Sequence, residues 1–256
     1  MSEVVLTWDS EHVVLLRLNR PEQRNALDLQ TRRTLATHLA ALAVEDRCRA
    51  AVITGGDKVF AAGADIRMLA QAFPQDVEAI GLAKLWQAVA DFPKPLIAAV
   101  NGLALGGGFE LAMHADVVIA GRSEEFGLPE PRVGIMPGAG GTQRLVRAIG
   151  KFAALHLLFS ATPINAERAY ALSIASELVD DAETIARALS FAIGVSKLPP
   201  LAIQSIKRVV RDGADLPFLD ALALEQRAFL ALFATADQKE GMAAFLEKRK
   251  PMFQGR

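Results

Sequence analysis

The run Pro95-Leu-Ile-Ala-Ala-Val-Asn-Gly-Leu-Ala-Leu-Gly-Gly-Gly-Phe-Glu-Leu-Ala-Met-His-Ala115 decides how this chain is to be read. Leu96–Val100 is a short apolar run of strand type, Asn101-Gly102 turns the chain, and a helical pattern begins around Phe109. One charge, Glu110, stands inside it, and a carboxylate among apolar residues is costly to bury unless something pairs or uses it. Backbone N–H groups at the start of such a helix have no intrahelical acceptor and lie at the positive end of its dipole. They can hold a developing oxyanion. Phe60-Ala-Ala-Gly-Ala-Asp65, also between a strand and a helix, offers the matching donor. The triplet Gly106-Gly-Gly108 would serve close helix–strand packing equally well, and the residues alone leave both readings open.

Further along, Glu130 in Phe126-Gly-Leu-Pro-Glu-Pro131 precedes a second glycine cluster, Gly138-Ala-Gly-Gly-Thr142. Two carboxylates, each beside backbone that glycine opens to a ligand, point to acid/base chemistry. Singly, each has a plain alternative: Glu130 as a loop surface residue, Glu110 as a buried structural acid. Neither glycine cluster completes Gly-x-Gly-x-x-Gly or precedes Gly-Lys-Ser/Thr, so dinucleotide and P-loop readings fail. His12, His38, His114 and His156 lack metal-ligand spacing, and no Gly-x-Ser-x-Gly elbow occurs. His114 lies in an apolar helix and reads as a packed core histidine. Two Trp and one Tyr leave little platform for stacking sugars, which argues against a glycosidase.

Outward from this centre, Val13–Leu18, Ala50–Thr54, Leu96–Val100 and Val117–Ala120 read as strands. A helix starts at Asp28, a plausible N-cap, with apolar positions at Leu29, Leu35, Leu39 and Leu42, and another spans Val77 to Ala90. Alternation without tight hairpins predicts an α/β layout with parallel neighbours. From about Thr142 the pattern is mostly helical: Thr142–Ile149, Lys151–Phe159, Ala166–Ala171, Ala182–Ser196, Leu201–Arg211, Phe218–Phe233 and Gln238–Lys250. We therefore expect a core domain over 1–195 and a helical C-terminal region over 196–256.

Apolar residues at 52% supply a substantial core. A net charge of −1 argues against a general nucleic-acid binder, which needs a basic face. The single cysteine, Cys48, excludes an internal disulfide and fits a reducing compartment. Met1 to Asp9 has no apolar signal region, and Pro95–Ala115 is interrupted by glycines and Glu110, so a soluble, cytoplasmic protein is expected.

Ile97-Ala-Ala-Val-Asn-Gly-Leu-Ala-Leu-Gly-Gly-Gly-Phe-Glu-Leu-Ala112, Phe126-Gly-Leu-Pro-Glu130 and Gly134-Ile-Met-Pro-Gly-Ala-Gly-Gly-Thr-Gln-Arg-Leu145 together resemble the enoyl-CoA hydratase/isomerase (crotonase) family. Arg20-Pro-Glu-Gln-Arg-Asn-Ala-Leu27, Phe60-Ala-Ala-Gly-Ala-Asp-Ile66 and Glu240-Gly-Met-Ala-Ala-Phe-Leu-Glu-Lys-Arg249 fit the same pattern, so the resemblance covers essentially the whole chain. It implies a crotonase-like spiral of ββα units with a helical C-terminal trimerisation region, assembled as a homotrimer or a hexamer of paired trimers. By motif position it makes Glu110 and Glu130 the catalytic carboxylates and the N–H groups of Ala64 and Gly107 the oxyanion hole. Arg24, Ala62, Ala64, Asp65, Ile66, Arg67 and Gly107 fall at family positions near substrate and coenzyme. So do Phe245 and Lys248, which the resemblance sets at an adjacent subunit's site. Asp65 is expected to order its loop. One departure stands out: Ala169-Tyr-Ala-Leu-Ser-Ile-Ala175 carries Ser173 where many relatives have glycine.

The implied activity is hydration of a 2-enoyl-CoA to a 3-hydroxyacyl-CoA in fatty-acid β-oxidation. Coenzyme A would enter as part of the substrate, with no further cofactor and no metal. An isomerase of the same fold is the alternative, as is a hydratase for a dicarboxylic enoyl-CoA of the 2,3-dehydroadipyl type, which the C-terminal Lys-Arg-x-Pro-x-Phe-x-Gly-Arg256 also resembles. Near-neutral charge and two intact carboxylates argue against a non-catalytic RNA-binding relative.

Overall fold

A computed structural model describes residues 2–256, the side chain of Met68 excepted. The chain opens with strands β1 (Val4–Trp8) and β2 (Val13–Leu18) and helix α1 (Leu29–Val44). Strands β3 (Ala50–Thr54) and β4 (Val59–Ala61) follow, then helices α2 (Ile66–Leu69), α3 (Pro74–Ile80) and α4 (Leu82–Ala90). Next come β5 (Leu96–Val100), β6 (Leu103–Leu105) and α5 (Gly107–His114), then β7 (Val117–Gly121), β8 (Glu125–Gly127), a 3-10 turn at Glu130–Val133 and α6 (Gly141–Ile149). The remainder is α7 (Lys151–Ser160), β9 (Ile164–Asn165), α8 (Ala166–Ala171), β10 (Glu177–Val179), α9 (Thr184–Ser196), α10 (Pro200–Gly213), α11 (Phe218–Leu232) and α12 (Ala236–Leu246).

Two sheets result, in the order β1-β2-β3-β5-β7-β10 and β4-β6-β8-β9. Each of the pairs β3/β4, β5/β6 and β7/β8 places one strand in each sheet before the chain passes into helix, so the backbone climbs as a spiral of ββα units. Neighbours from β2 to β10 are parallel, with Val52 opposite Ile97 and Ala98 opposite Val118. Strands β3 and β5 are buried along their whole length, as parallel strands covered on both faces must be. Period-2 alternation divides their side chains. Val52, Ile97 and Ala99 face Ala188 and Ala192 of α9, while Ile53, Leu96 and Ala98 join the main core with Leu35, Leu39 and Phe109.

Local signals explain the element starts. Asp28 Oδ1 accepts the Thr31 N–H at 2.8 Å, capping α1 where the sequence placed a cap. Several features depart from expectation: the residues alone predicted four strands, and β1, β4, β6, β8, β9 and β10 are additional to them. Within the stretch Met1 to Asp9, of which Met1 lies outside the described residues, Val4–Trp8 forms β1 and pairs antiparallel with β2. Val77–Ala90 is not one helix: Gly81, at φ +72°, breaks it into α3 and α4. Helix α5 begins at Gly107, ahead of Phe109. At the far end, buried Asp237 accepts the Gln254 and Gly255 N–H groups at 2.7 and 2.8 Å, and Arg49 donates to the Phe253 carbonyl at 2.9 Å. The C-terminal tail is thereby tied to the core.

Ser173 follows α8 with φ +61°, its N–H donating to the Tyr170 carbonyl at 2.9 Å. This is a left-handed helix stop, which glycine occupies without strain and a residue with a Cβ does not. Ser173→Gly is expected to stabilise the fold by about 0.5–1 kcal/mol. Denaturant titration of the two proteins at equal m-value checks it.

Candidate active site

The spiral brings the loop after β4 against the start of α5. A Cβ on Gly108 would fall 2.1 Å from the Ala61 carbonyl oxygen, so this approach requires glycine. The same approach sets the Ala64 N–H 3.7 Å from where a Cβ would stand on Gly107. Gly107 is the first residue of α5 and has no intrahelical acceptor. Among the described residues the Ala64 N–H likewise makes no backbone hydrogen bond. Two free donors therefore lie side by side at a helix start, facing a cavity of about 530 Å³.

Glu110 lies in the first turn of α5, buried, and lines that cavity. Its Oε1 accepts the N–H groups of Ala139 and Gly141 at 2.7 and 2.8 Å. The second glycine cluster thus grips this carboxylate as well as bordering the cavity. Oε2 is left without a protein donor among the described residues. Burial pushes the Glu110 pKa up, against the two N–H groups and the more distant Arg32 and Arg144, which pull it down.

Glu130 arrives from β8. The Gly106 N–H donates to the Gly127 carbonyl at 2.8 Å, docking the end of β8 on the head of α5. A Cβ on Gly106 would stand 2.9 Å from Glu130 Oε1. Glu130 opens the 3-10 turn and lines the same cavity, and its Oε2 is buried without a partner. Burial, reinforced by the charge of Glu110, raises its pKa to about 7, its own N–H opposing. Burial raises both acids, and Glu110 alone has two backbone N–H groups of other residues and two nearby guanidinium groups opposing that rise.

The remaining wall is mostly apolar, with Leu69, Val77, Leu82, Ala83 and Trp86 among its residues, and also holds Arg32 and Glu78. Trp86 stacks on His114 at 5.4 Å, and Arg32 Cζ lies 5.2 Å from the Trp86 ring. His114 is the packed core histidine expected. Burial pushes its pKa down to about 4, and its Nε2 lies 3.0 Å from the Ala139 carbonyl, bracing the loop that holds Glu110.

Of the other sequence-named residues, Ala62 donates its N–H to the Arg24 carbonyl at 3.0 Å, joining that segment to the Ala64 loop. Asp65 caps α2 and takes the Arg67 guanidinium at 2.9 and 3.0 Å, so it orders the loop as expected. Arg24, Ile66 and Arg67 are exposed. Phe245 and Lys248, at the end of α12, do not line this cavity within the chain. Arg32 and Trp86 were not named from sequence. Arg32 had a signal: it falls three residues before Leu35, on the apolar stripe of α1.

Residues 9–256 match the model of the family described as enoyl-CoA hydratase/isomerase. The chain belongs to that family. It is 42% identical over 259 residues to the 2,3-dehydroadipyl-CoA hydratase of Escherichia coli K12, covering the whole of both chains. It is 38% identical to the crotonyl-CoA hydratase of Syntrophomonas wolfei, covering 98% of each. A crystal structure of enoyl-CoA hydratase subunit I from Geobacillus kaustophilus HTA426 superposes with a TM-score of 0.96 at 40% identity, over 99% of this chain and 98% of that one.

Since the charge of Glu110 helps hold the Glu130 proton, Glu110→Gln is expected to lower the Glu130 pKa from about 7. Carbon-13 NMR of labelled glutamate side chains follows both titrations, and an unmoved Glu130 would refute the coupling.

Proposed function

We propose that this chain is an enoyl-CoA hydratase, adding water across the 2,3 double bond of a 2-enoyl-CoA thioester. The observation that carries the reading is one cavity lined by Ala64 and Gly107, whose N–H groups are free, and by two carboxyl groups, one held by backbone donors and one with an unpartnered oxygen. The thioester carbonyl oxygen accepts from the Ala64 and Gly107 N–H groups. As negative charge grows on that oxygen the donors are already aimed, and losing one such donor typically costs about 3–4 kcal/mol of barrier.

Ionised Glu110 takes a proton from a water molecule, whose oxygen bonds to the β carbon, while Glu130 shares in orienting that water. Glu130 gives its proton to the α carbon. One proton then returns from Glu110 to Glu130, directly or through solvent, and the pair is reset. No metal or organic cofactor enters the scheme, because coenzyme A arrives within the substrate. Isomerisation needs one proton shuttle, and the presence of both acids favours hydration. Exposed Arg24 and Arg67 are suited to the coenzyme's phosphates.

The same reading includes a trimer or a pair of trimers. Its support is apolar surface on the C-terminal helices, where Val210, Phe218, Leu219, Phe245 and Leu246 are exposed. Phe245 and Lys248 would then serve a neighbouring subunit's site. A cytoplasmic role in fatty-acid β-oxidation accompanies it. No single helix among the described residues is long and apolar enough to cross a membrane.

Glu110→Gln and Glu130→Gln are each expected to lower kcat for crotonyl-CoA hydration by at least a hundredfold while acyl-CoA affinity is largely kept. For the wild type, kcat/KM falls as pH rises through about 7, since the proton Glu130 must donate is lost there. Loss of absorbance of the enoyl thioester measures both, and near-normal turnover in either variant removes that glutamate from the scheme.

A further inference from the structure

In the hydration scheme Glu110 must be ionised while the acyl chain fills the cavity and displaces its water. Losing that water raises the cost of the charge. The two N–H groups on Oε1 offset part of it, and Oε2 has no donor among the described residues. Charged groups approach Glu110 from each element around the cavity. Glu130 of the 3-10 turn and Glu78 of α3 bring negative charge. His114, one turn further along α5, is kept neutral by burial, its pKa pushed down to about 4. Arg32 of α1 and Arg144 of α6 are the cations that favour the ionised form.

These two cations are not equivalent. Arg144 lines a neighbouring cleft beside Asp116, whose charge acts on it ahead of that of Glu110. Arg32 lines the active-site cavity itself, is 8% exposed, and has Glu110 as the foremost charge acting on it. The other, Asp28, is paired with Arg20 at 3.0 Å. No direct ion pair or hydrogen bond joins Arg32 to Glu110 among the described residues, so the attraction acts through space and leaves Oε2 open to a water molecule.

Arg32 is fixed by groups that belong to the site. Its Nε donates to the Leu27 carbonyl at 2.9 Å, and the Leu27 N–H donates to the carbonyl of Gly63, beside Ala64, at 2.8 Å. On its other side Cζ lies 5.2 Å from the Trp86 ring, which stacks on His114 at 5.4 Å. His114 Nε2 is 3.0 Å from the Ala139 carbonyl, and the Ala139 N–H holds Glu110 at 2.7 Å. A continuous path of contacts thus runs from the guanidinium to the carboxylate on which its charge acts.

We propose that Arg32 is a positioning residue for the hydration, acting through Glu110: its buried charge keeps that carboxylate ionised once the acyl chain has displaced water from the cavity. The proposal rests on the hydratase reading for the need of an ionised base. With water present the attraction across the cavity is weak. It strengthens as the acyl chain lowers the effective dielectric, at the same step that makes the Glu110 charge harder to keep. A guanidinium suits the task because it does not lose its proton near neutral pH.

Arg32→Met and Arg32→Lys test this through the pH profile of kcat, which reports the substrate complex. In the methionine variant the acid limb is expected to move to higher pH, so that kcat at about pH 5.5 relative to about pH 7 falls about fivefold below the wild-type ratio, with KM little changed. The lysine variant, which keeps the charge, keeps most of the wild-type ratio. A merely structural role would lower kcat alike at both pH values. Carbon-13 NMR of Glu110, with and without bound hexanoyl-CoA, reads the same titration without turnover, and the upward shift in Arg32→Met is expected to be larger with the thioester bound. Melting curves confirm folding, and Arg32→Gln stands in if the methionine variant does not fold. An acid limb and a Glu110 titration that stay in place without the charge overturn the proposal. If the wild type hydrates no enoyl-CoA, the hydratase reading fails, and the NMR titration still decides whether Arg32 holds the Glu110 charge.

Discussion

The contact between the head of α5 and the end of β4 is the constraint on which the rest of the site depends. With no side chain at Gly108, the helix start lies against the Ala61 carbonyl. From that single approach follow the adjacency of the Ala64 and Gly107 N–H groups and the burial of Glu110 one turn into the helix. Docking of Gly106 on Gly127 then carries Glu130 to the same place. Any side chain at position 108 would push the head of α5 off the end of β4.

The two acids show how burial and hydrogen bonding divide labour between identical side chains. Both are withdrawn from water, which raises both. Only Glu110 receives two backbone donors on one oxygen, and those N–H groups stabilise its charged form. Glu130 receives its neighbour's negative field instead. The second glycine cluster therefore acts chiefly on the first carboxylate, a pairing across some thirty residues that no local pattern encodes.

Legibility followed the range of the interaction. Asp28 as a cap, the apolar strands Ala50–Thr54 and Leu96–Val100, and the helix after the glycine triplet depend on neighbours in sequence and could be read there. Glu110 and Glu130 could be singled out because charge in apolar or glycine-rich surroundings is unusual; their roles came from the family resemblance. The break at Gly81 was missed because helical periodicity continues through it, and only a positive φ ends the helix. Arg32 was hidden for the opposite reason. On α1 it occupies a core-facing position, but its chemistry lies in what it faces across the fold, Trp86 and the cavity.

That stack has an optical consequence. Trp86 has a guanidinium and an imidazole beside its ring, and it forms part of the cavity wall. The only other tryptophan, Trp8, is on the outermost strand with Arg47 Cζ 3.9 Å from its ring centroid. Indole emission responds to the charge and polarity beside the ring, so filling the cavity alters one fluorophore and leaves the other as a steady background. The protein carries its own built-in reporter of occupancy, readable in real time without a label.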